Sequence, residues 1–128
     1  VVVQRAASRW HLELNDILIV CDDVNLPLGT LRMRPQGSAG GHNGLASCLD
    51  ALQTEAIPRL RIGVGIQPLP KDLTEFVLSP FARDEHSTRT QMLARAAEAC
   101  EVWATHGIQT TMNRINAGPE GWSESTKL

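Results

Sequence analysis

Five consecutive apolar positions, Ile17-Leu18-Ile19-Val20-Cys21, are rich in β-branched side chains and close on Asp22-Asp23. That pattern predicts a short strand covered on both faces, the kind found in α/β layers. Further along, the pattern changes to alternation. Leu31-Arg32-Met33-Arg34 sets apolar against basic before Pro35 stops it, so a second strand should carry both arginines on one face. Leu60, Ile62, Val64 and Ile66 alternate with Arg59, Arg61, Gly63 and Gly65. The third strand therefore has one apolar face and one that begins with arginines and ends in bare backbone, where glycines permit a close approach. Between the first two strands, Leu26-Pro27-Leu28-Gly29 has the punctuation of a turn.

Helical spacing appears elsewhere. Residues from Val1 to about Trp10 fit a helix closing at His11 to Asp16. The glycine-rich stretch Gly37-Ser38-Ala39-Gly40-Gly41-His42-Asn43-Gly44 forms no regular element and leads into a helix over Leu45 to Leu52. After a short apolar region at Phe76, Val77 and Leu78, a long helix is predicted from about Asp84 to His106. Met92, Ala96, Cys100 and Trp103 stripe it, and Gly107 caps it. A last helical turn or two uses Ile108, Met112 and Ile115. No internal repeat or domain boundary interrupts the order, so one domain is expected over residues 1–117. The Pro, Gly, Ser and Glu of residues 118–128 predict a disordered tail.

Composition narrows the classes. With 128 residues and 42% hydrophobic content, the chain can build one core. Its three cysteines, Cys21, Cys48 and Cys100, are widely spaced and form no CxxC pair, which suggests reduced thiols rather than a disulfide framework or a zinc site. No apolar run has the length of a membrane span, so a cytoplasmic protein without a membrane partner is expected. A net charge of -2 argues against general basic attraction to nucleic acid, and any RNA contact must come from a local patch. The opening VVVQRAASRW lacks a helix start signal, and the chain is expected to be part of a longer one.

Three constellations carry candidate chemistry. Asp22-Asp23-Val24-Asn25 closes a covered strand, where open α/β sheets gather ligands. A carboxylate there can orient a histidine and stabilise its imidazolium; the alternatives are a turn cap and, more weakly, a metal ligand. In Gly40-Gly41-His42-Asn43-Gly44, freed backbone N–H groups and the Asn43 amide suit a carbonyl oxygen or an attacking water. Asn43 capping the following helix is the competing reading, and a lone histidine such as His42 is more often structural than a general base. Arg32, Arg34, Arg59 and Arg61 would form a compact phosphate-binding patch if their strands are neighbours, and ordinary solvated charge if not.

The strings IVCDDVNLPLG, LRMRPQGSAGGHNGL and PRLRIGVG, in this order and spacing, resemble the bacterial peptidyl-tRNA hydrolase family from about Val1 through Ala117. The resemblance implies a three-layer α/β/α sandwich around a mixed central sheet, incomplete in this chain. It also implies hydrolysis of the ester joining peptide to tRNA in peptidyl-tRNA, without metal or organic cofactor, by a monomer. Asp22 is similar to the family's catalytic-site aspartate, which holds the catalytic histidine in its basic form. Asn43 is similar to the substrate-binding asparagine of the GGHNG motif. Arg34 and Arg61 are similar in position to the basic pair that clamps a tRNA phosphate, although the family often has Lys at the first. Arg32 and Arg59 would extend that patch, and Asp23, where Glu is common, is given no catalytic role.

The same resemblance places the general-base histidine, an asparagine that senses the blocked amino group and an MNxSG segment upstream of these motifs. None of them is in the chain. A carboxylate alone is a poor proton acceptor from water, so the chain by itself is expected to be inactive. Its sheet is expected to expose apolar surface where strands are missing. Two other readings stand beside the hydrolase: a noncatalytic RNA-binding scaffold of the same fold, and a metal-dependent maturation protease sharing the sandwich topology.

Overall fold

The computed structural model describes residues 2–65 and 86–116. Helix α1 (Val2–Arg9) is followed by a single 3-10 turn at Leu14–Asp16. Then come β1 (Ile19–Pro27), β2 (Leu31–Arg34), α2 (Asn43–Leu52), β3 (Arg59–Gly65), α3 (His86–His106) and α4 (Ile108–Ile115). The strand order is β1-β3-β2; β1 runs parallel to β3 and β2 antiparallel, which makes the sheet mixed.

The two alternating strands are neighbours. Arg32 lies opposite Arg61 and Arg34 opposite Arg59, while Met33 faces Leu60 and Leu31 faces Ile62. Cross-strand partners share a face, so all four arginine positions fall on one side of the sheet and the apolar side chains on the other. On the apolar side, Leu31, Met33 and Leu60 join Met92, Ala96 and Ala99 of α3 and Ile115 of α4, with Ile62, Cys100 and Trp103 packed around them. Met33, Leu60, Met92 and Ile115 are essentially fully buried, each contributing roughly 1.5–3 kcal/mol through apolar burial. On the arginine side, Cys21 and Ile57 pack with Leu45 and Leu49 of α2. With α2 on one face and α3 and α4 on the other, the α/β/α layering expected from sequence is present.

Strand β1 is longer than its apolar run. Its ladder with β3 continues through Asp22↔Ile62 and Asp23↔Gly63, then shifts register before Pro27↔Gly65, leaving extra β1 residues in a bulge. Here the glycines of β3 find their use. A Cβ on Gly63 would land on the Pro27 carbonyl oxygen, and one on Gly65 on that of Val24. The close approach anticipated at these glycines is thus made by the neighbouring strand and not by a ligand.

The outer edge of β1 carries no strand among the described residues. Beside it, Val20 is 47% exposed and an open apolar cavity of about 400 Å³ lies between α1 and α3, lined by Val3, Ala6, Leu18, Val20 and Trp103. This is the exposed apolar sheet surface that the sequence led us to expect. The predicted region Phe76 to Leu78, Ile66 of the third strand, the first residues of the long helix and the tail 118–128 lie outside the described residues.

Candidate active site

The middle of β1, the glycine-rich loop and the start of α2 meet at one place. Asp22 sits on β1 just before the register shift. Its Oδ1 lies 2.9 Å from Nε2 of His42, with both side chains partly exposed. His42 is the N-cap of α2: its backbone is extended and its Nδ1 accepts a hydrogen bond from the Leu45 N–H at 3.0 Å. Asn43 follows as the first helical residue and is exposed. The cap expected of Asn43 is therefore made by His42, and the Asn43 amide remains available to a ligand beside the Asp22–His42 pair.

Asp23 has a different task. Its Oδ1 accepts from the Asn25 N–H at 2.8 Å, so the turn-capping role considered for the acidic pair falls to this residue. Its Oδ2 pairs with Nη1 of Arg61 at 3.3 Å, and Nη2 of Arg61 donates to the Ser38 carbonyl at 3.2 Å. Arg61 thereby ties β1, β3 and the glycine-rich loop together. Within that loop Gly40 and Gly41 have positive φ, +60° and +86°, and Gly40 lies against the Arg61 guanidinium.

The arginines divide by environment. Arg32 and Arg34 are exposed, and among the described residues the Arg34 side chain bonds its neighbour, the Met33 carbonyl, at 3.1 Å. Arg59 is 1% exposed. It donates through Nε to Ile57 O at 2.9 Å, through Nη1 to Ser38 O at 3.1 Å and through Nη2 to Glu55 O at 3.0 Å. Burial, then the nearby Arg61 charge, draw its pKa down from the usual guanidinium range. Arg59 is a structural strut and does not extend a phosphate patch, contrary to the expectation from alternation. Its side chain lies on the face that α2 covers.

Among the described residues no group of three or more His, Cys, Asp or Glu is arranged to hold a metal ion, and no helix is long and apolar enough to cross a membrane. Sequence reasoning weighed His42 as a structural histidine and missed its contact with Asp22. The signal was the position of the histidine one residue before a helix start, with glycine two residues after it: a Cβ on Gly44 would press on the His42 ring at 3.1 Å.

A profile of the peptidyl-tRNA hydrolase family matches residues 1–124. The chain belongs to this family. It is 44% identical over 102 residues to a Peptidyl-tRNA hydrolase of Methylacidiphilum infernorum, covering 80% of this chain and 55% of that protein. Against the Peptidyl-tRNA hydrolase of Chlorobaculum tepidum it is 40% identical over 114 residues, covering 89% and 61%. The fold is similar to the crystal structure of peptidyl-tRNA hydrolase from Acinetobacter baumannii, with a TM-score of 0.78 and 26% identity over 88% of this chain and 57% of that one. The chain thus spans little more than half the length of the family members it matches. Within the family framework, Asp22, His42, Asn43 and Arg61 form one continuous set of contacts and chain neighbours, while Arg34 lies on the same sheet face on the adjacent strand.

Proposed function

We propose that this chain forms part of an enzyme that hydrolyses the ester between peptide and tRNA in peptidyl-tRNA, releasing tRNA for reuse in translation. The observation that carries the reading is the Asp22–His42 contact at the start of α2, with Asn43 exposed beside it, in a chain of this family. Asp22 orients the imidazole of a second histidine, distinct from His42, which takes a proton from the attacking water. Asn43 donates to or accepts from the substrate beside the scissile ester. Arg34 and Arg61 bind a phosphate of the tRNA. The general base is a histidine outside the chain, so the 128 residues alone do not turn over. The unit spans residues 1–117 and works in the cytoplasm as a monomer, with peptidyl-tRNA as its partner and no metal or organic cofactor.

The test joins the segment of the Chlorobaculum tepidum relative that this chain does not match to the chain, and follows release of tRNA from peptidyl-tRNA. Hydrolysis is expected from the chimera and not from the chain alone. Asp22→Ala should then lower turnover at least about a hundredfold, the usual scale of lost acid–base assistance, with tRNA affinity unchanged. A chimera that binds tRNA without hydrolysing the ester would sink the enzymatic reading in favour of an RNA-binding scaffold. An active one indifferent to Asp22→Ala would remove the residue from the mechanism.

A further inference from the structure

The two nitrogens of His42 have unequal partners, and one of those partners is unambiguous. A backbone N–H can only donate, so the Leu45 N–H at 3.0 Å requires a lone pair on Nδ1. In the neutral ring the proton then sits on Nε2, facing Asp22 Oδ1 at 2.9 Å, where a carboxylate oxygen can only accept. Both bonds fix the same tautomer. Neither nitrogen retains a free lone pair in this arrangement, so His42 is not placed to take a proton from water.

We propose that His42 is a positioning residue: the N-cap of α2 sets its tautomer, and the Nε2–H fixes the Asp22 carboxylate through one oxygen while leaving the other oxygen for the group that Asp22 orients in the reaction. The inference rests on the reading of Asp22 as the active-site carboxylate. Asp22 Oδ2 takes no hydrogen bond among the described residues, and the Asp22 side chain is 39% exposed, so that oxygen is accessible. Gly44 belongs to the same device. Because a Cβ there would meet the ring Cε1 at 3.1 Å, the glycine supplies the space in which the imidazole folds back over the first turn of α2. In one short motif the chain therefore couples the start of a helix to the orientation of a carboxylate on β1.

The tautomer is tested by nitrogen-15 NMR of the imidazole in the 128-residue chain and in the chimera described above. A pyridine-like Nδ1 and a pyrrole-like Nε2 are expected in both, and the Nε2 signal should shift in Asp22→Asn. The reverse tautomer overturns the proposal whether or not the protein hydrolyses anything. Two substitutions separate positioning from helix capping. His42→Asn supplies an excellent N-cap but is too short to reach Asp22; stability should be retained, with kcat for peptidyl-tRNA falling about tenfold to a hundredfold, the scale of a small misplacement, and KM unchanged. His42→Gln restores a donor of greater reach and should recover part of that loss despite a poorer cap. Full kcat in a stably folded His42→Asn chimera would mean that His42 only caps the helix. An inactive wild-type chimera with the expected tautomer would place the failure in the proposed activity instead.

Discussion

The side chain of Asn116 acts as a strand partner for Met33: its Oδ1 accepts from the Met33 N–H at 2.9 Å and its Nδ2 donates to the Met33 carbonyl at 3.0 Å. Met33 is the inward-facing apolar residue of β2, whose other side pairs with β3, so the amide just beyond α4 satisfies the outer edge of the sheet where the core is deepest. Asn116→Ala should leave the Met33 N–H without a partner and its carbonyl with the Arg34 guanidinium alone, and lower unfolding free energy by about 1–3 kcal/mol. Asn116→Asp is expected to be worse at neutral pH, because a second oxygen would face the Met33 carbonyl. Denaturant titration checks the order; equal stability of wild type and both variants would show that the edge needs no such cap.

Arg59 holds three backbone carbonyls, from Ile57, Ser38 and Glu55, without a carboxylate partner among the described residues. Arg59→Met keeps much of the volume and removes all five N–H donors. A loss of about 1–3 kcal/mol is expected, chiefly from the Ile57 carbonyl, because Ser38 O keeps the Arg61 guanidinium and Glu55 O keeps the Gly37 N–H. Arg59→Lys should recover little, since a single ammonium does not reproduce the guanidinium fork. Amide exchange should quicken at Gly37, next to Ser38, and at His42, whose N–H bonds the carbonyl of Ala39 on the other side of Ser38. Unchanged exchange in that loop would show that the strut does not support the candidate site.

These two residues also mark what the sequence could and could not tell. Alternation in Leu31–Arg34 and Arg59–Ile66 identified both strands, because a period of two is a local property of the chain. It could not tell that β3 is central. A central strand is covered on both faces, and so Arg59, assigned from alternation to an exposed basic face, is buried against the glycine-rich loop and the connection between α2 and β3, while Arg34 on the edge strand remains in water. Asp22 was legible as the carboxylate that closes the apolar run, although the strand itself continues past it to Pro27. Its partner was not, because the His42 contact joins residues 20 apart through the glycine-rich loop. Asn43 showed the limit of propensity: its residue type suits a cap, yet His42 occupies the extended position from which capping is made.

Gly63 should tolerate no side chain. A Cβ would collide with the Pro27 carbonyl and come within 3.0 Å of the Leu26 side chain, both on the neighbouring strand. Backbone in a central sheet cannot yield as a flexible side chain can, and Gly63→Ala is expected to cost several kcal/mol, about 2–4, as an overpacked core site does. By contrast Gly41 has open space around the same added atom, so its cost should be limited to the strain of φ +86°. Comparing the denaturation midpoints of the two alanine variants checks the argument. A Gly63→Ala variant as stable as the wild type would contradict the close packing of β1 on β3.

Burial pushes the Cys21 thiol up; Arg61 works against this, and Asp22 and Asp23 reinforce it. The Cys100 thiol is raised by burial alone. A raised folded pKa means that the unfolded chain releases its proton first, from about pH 8.5 upward. The contribution is therefore fully present below that pH and is lost as pH rises toward the folded pKa. Stability should fall more steeply between about pH 8 and 10 in the wild type than in Cys21→Ala/Cys100→Ala, whatever the absolute cost of the cavities. Parallel slopes over that range would show that neither thiol is desolvated as the packing requires.

Arg34 and Arg61 lie on one face of adjacent antiparallel strands, in the diagonal relation created by Arg34 opposite Arg59 and Arg32 opposite Arg61. Their backbones are then roughly 7–8 Å apart, a span that two long guanidinium side chains can close around one phosphate. Their starting states differ. Arg34 is exposed, whereas Arg61 is held by Asp23 and Ser38, and a phosphate must share it with the Asp23 carboxylate. Arg34→Glu is therefore expected to weaken tRNA binding without loss of stability and to reduce the dependence of log affinity on log salt by about 0.7–0.9. Arg61→Glu should weaken binding and also loosen the loop. Asp23→Asn should act in the opposite direction and strengthen binding, because it removes the competing anion. Filter binding of tRNA to the chimera across a salt series reads all three. If affinity and salt slope are the same in both charge reversals, no phosphate is held between these strands; if Asp23→Asn weakens binding, the carboxylate serves to aim Arg61 and does not compete with the RNA.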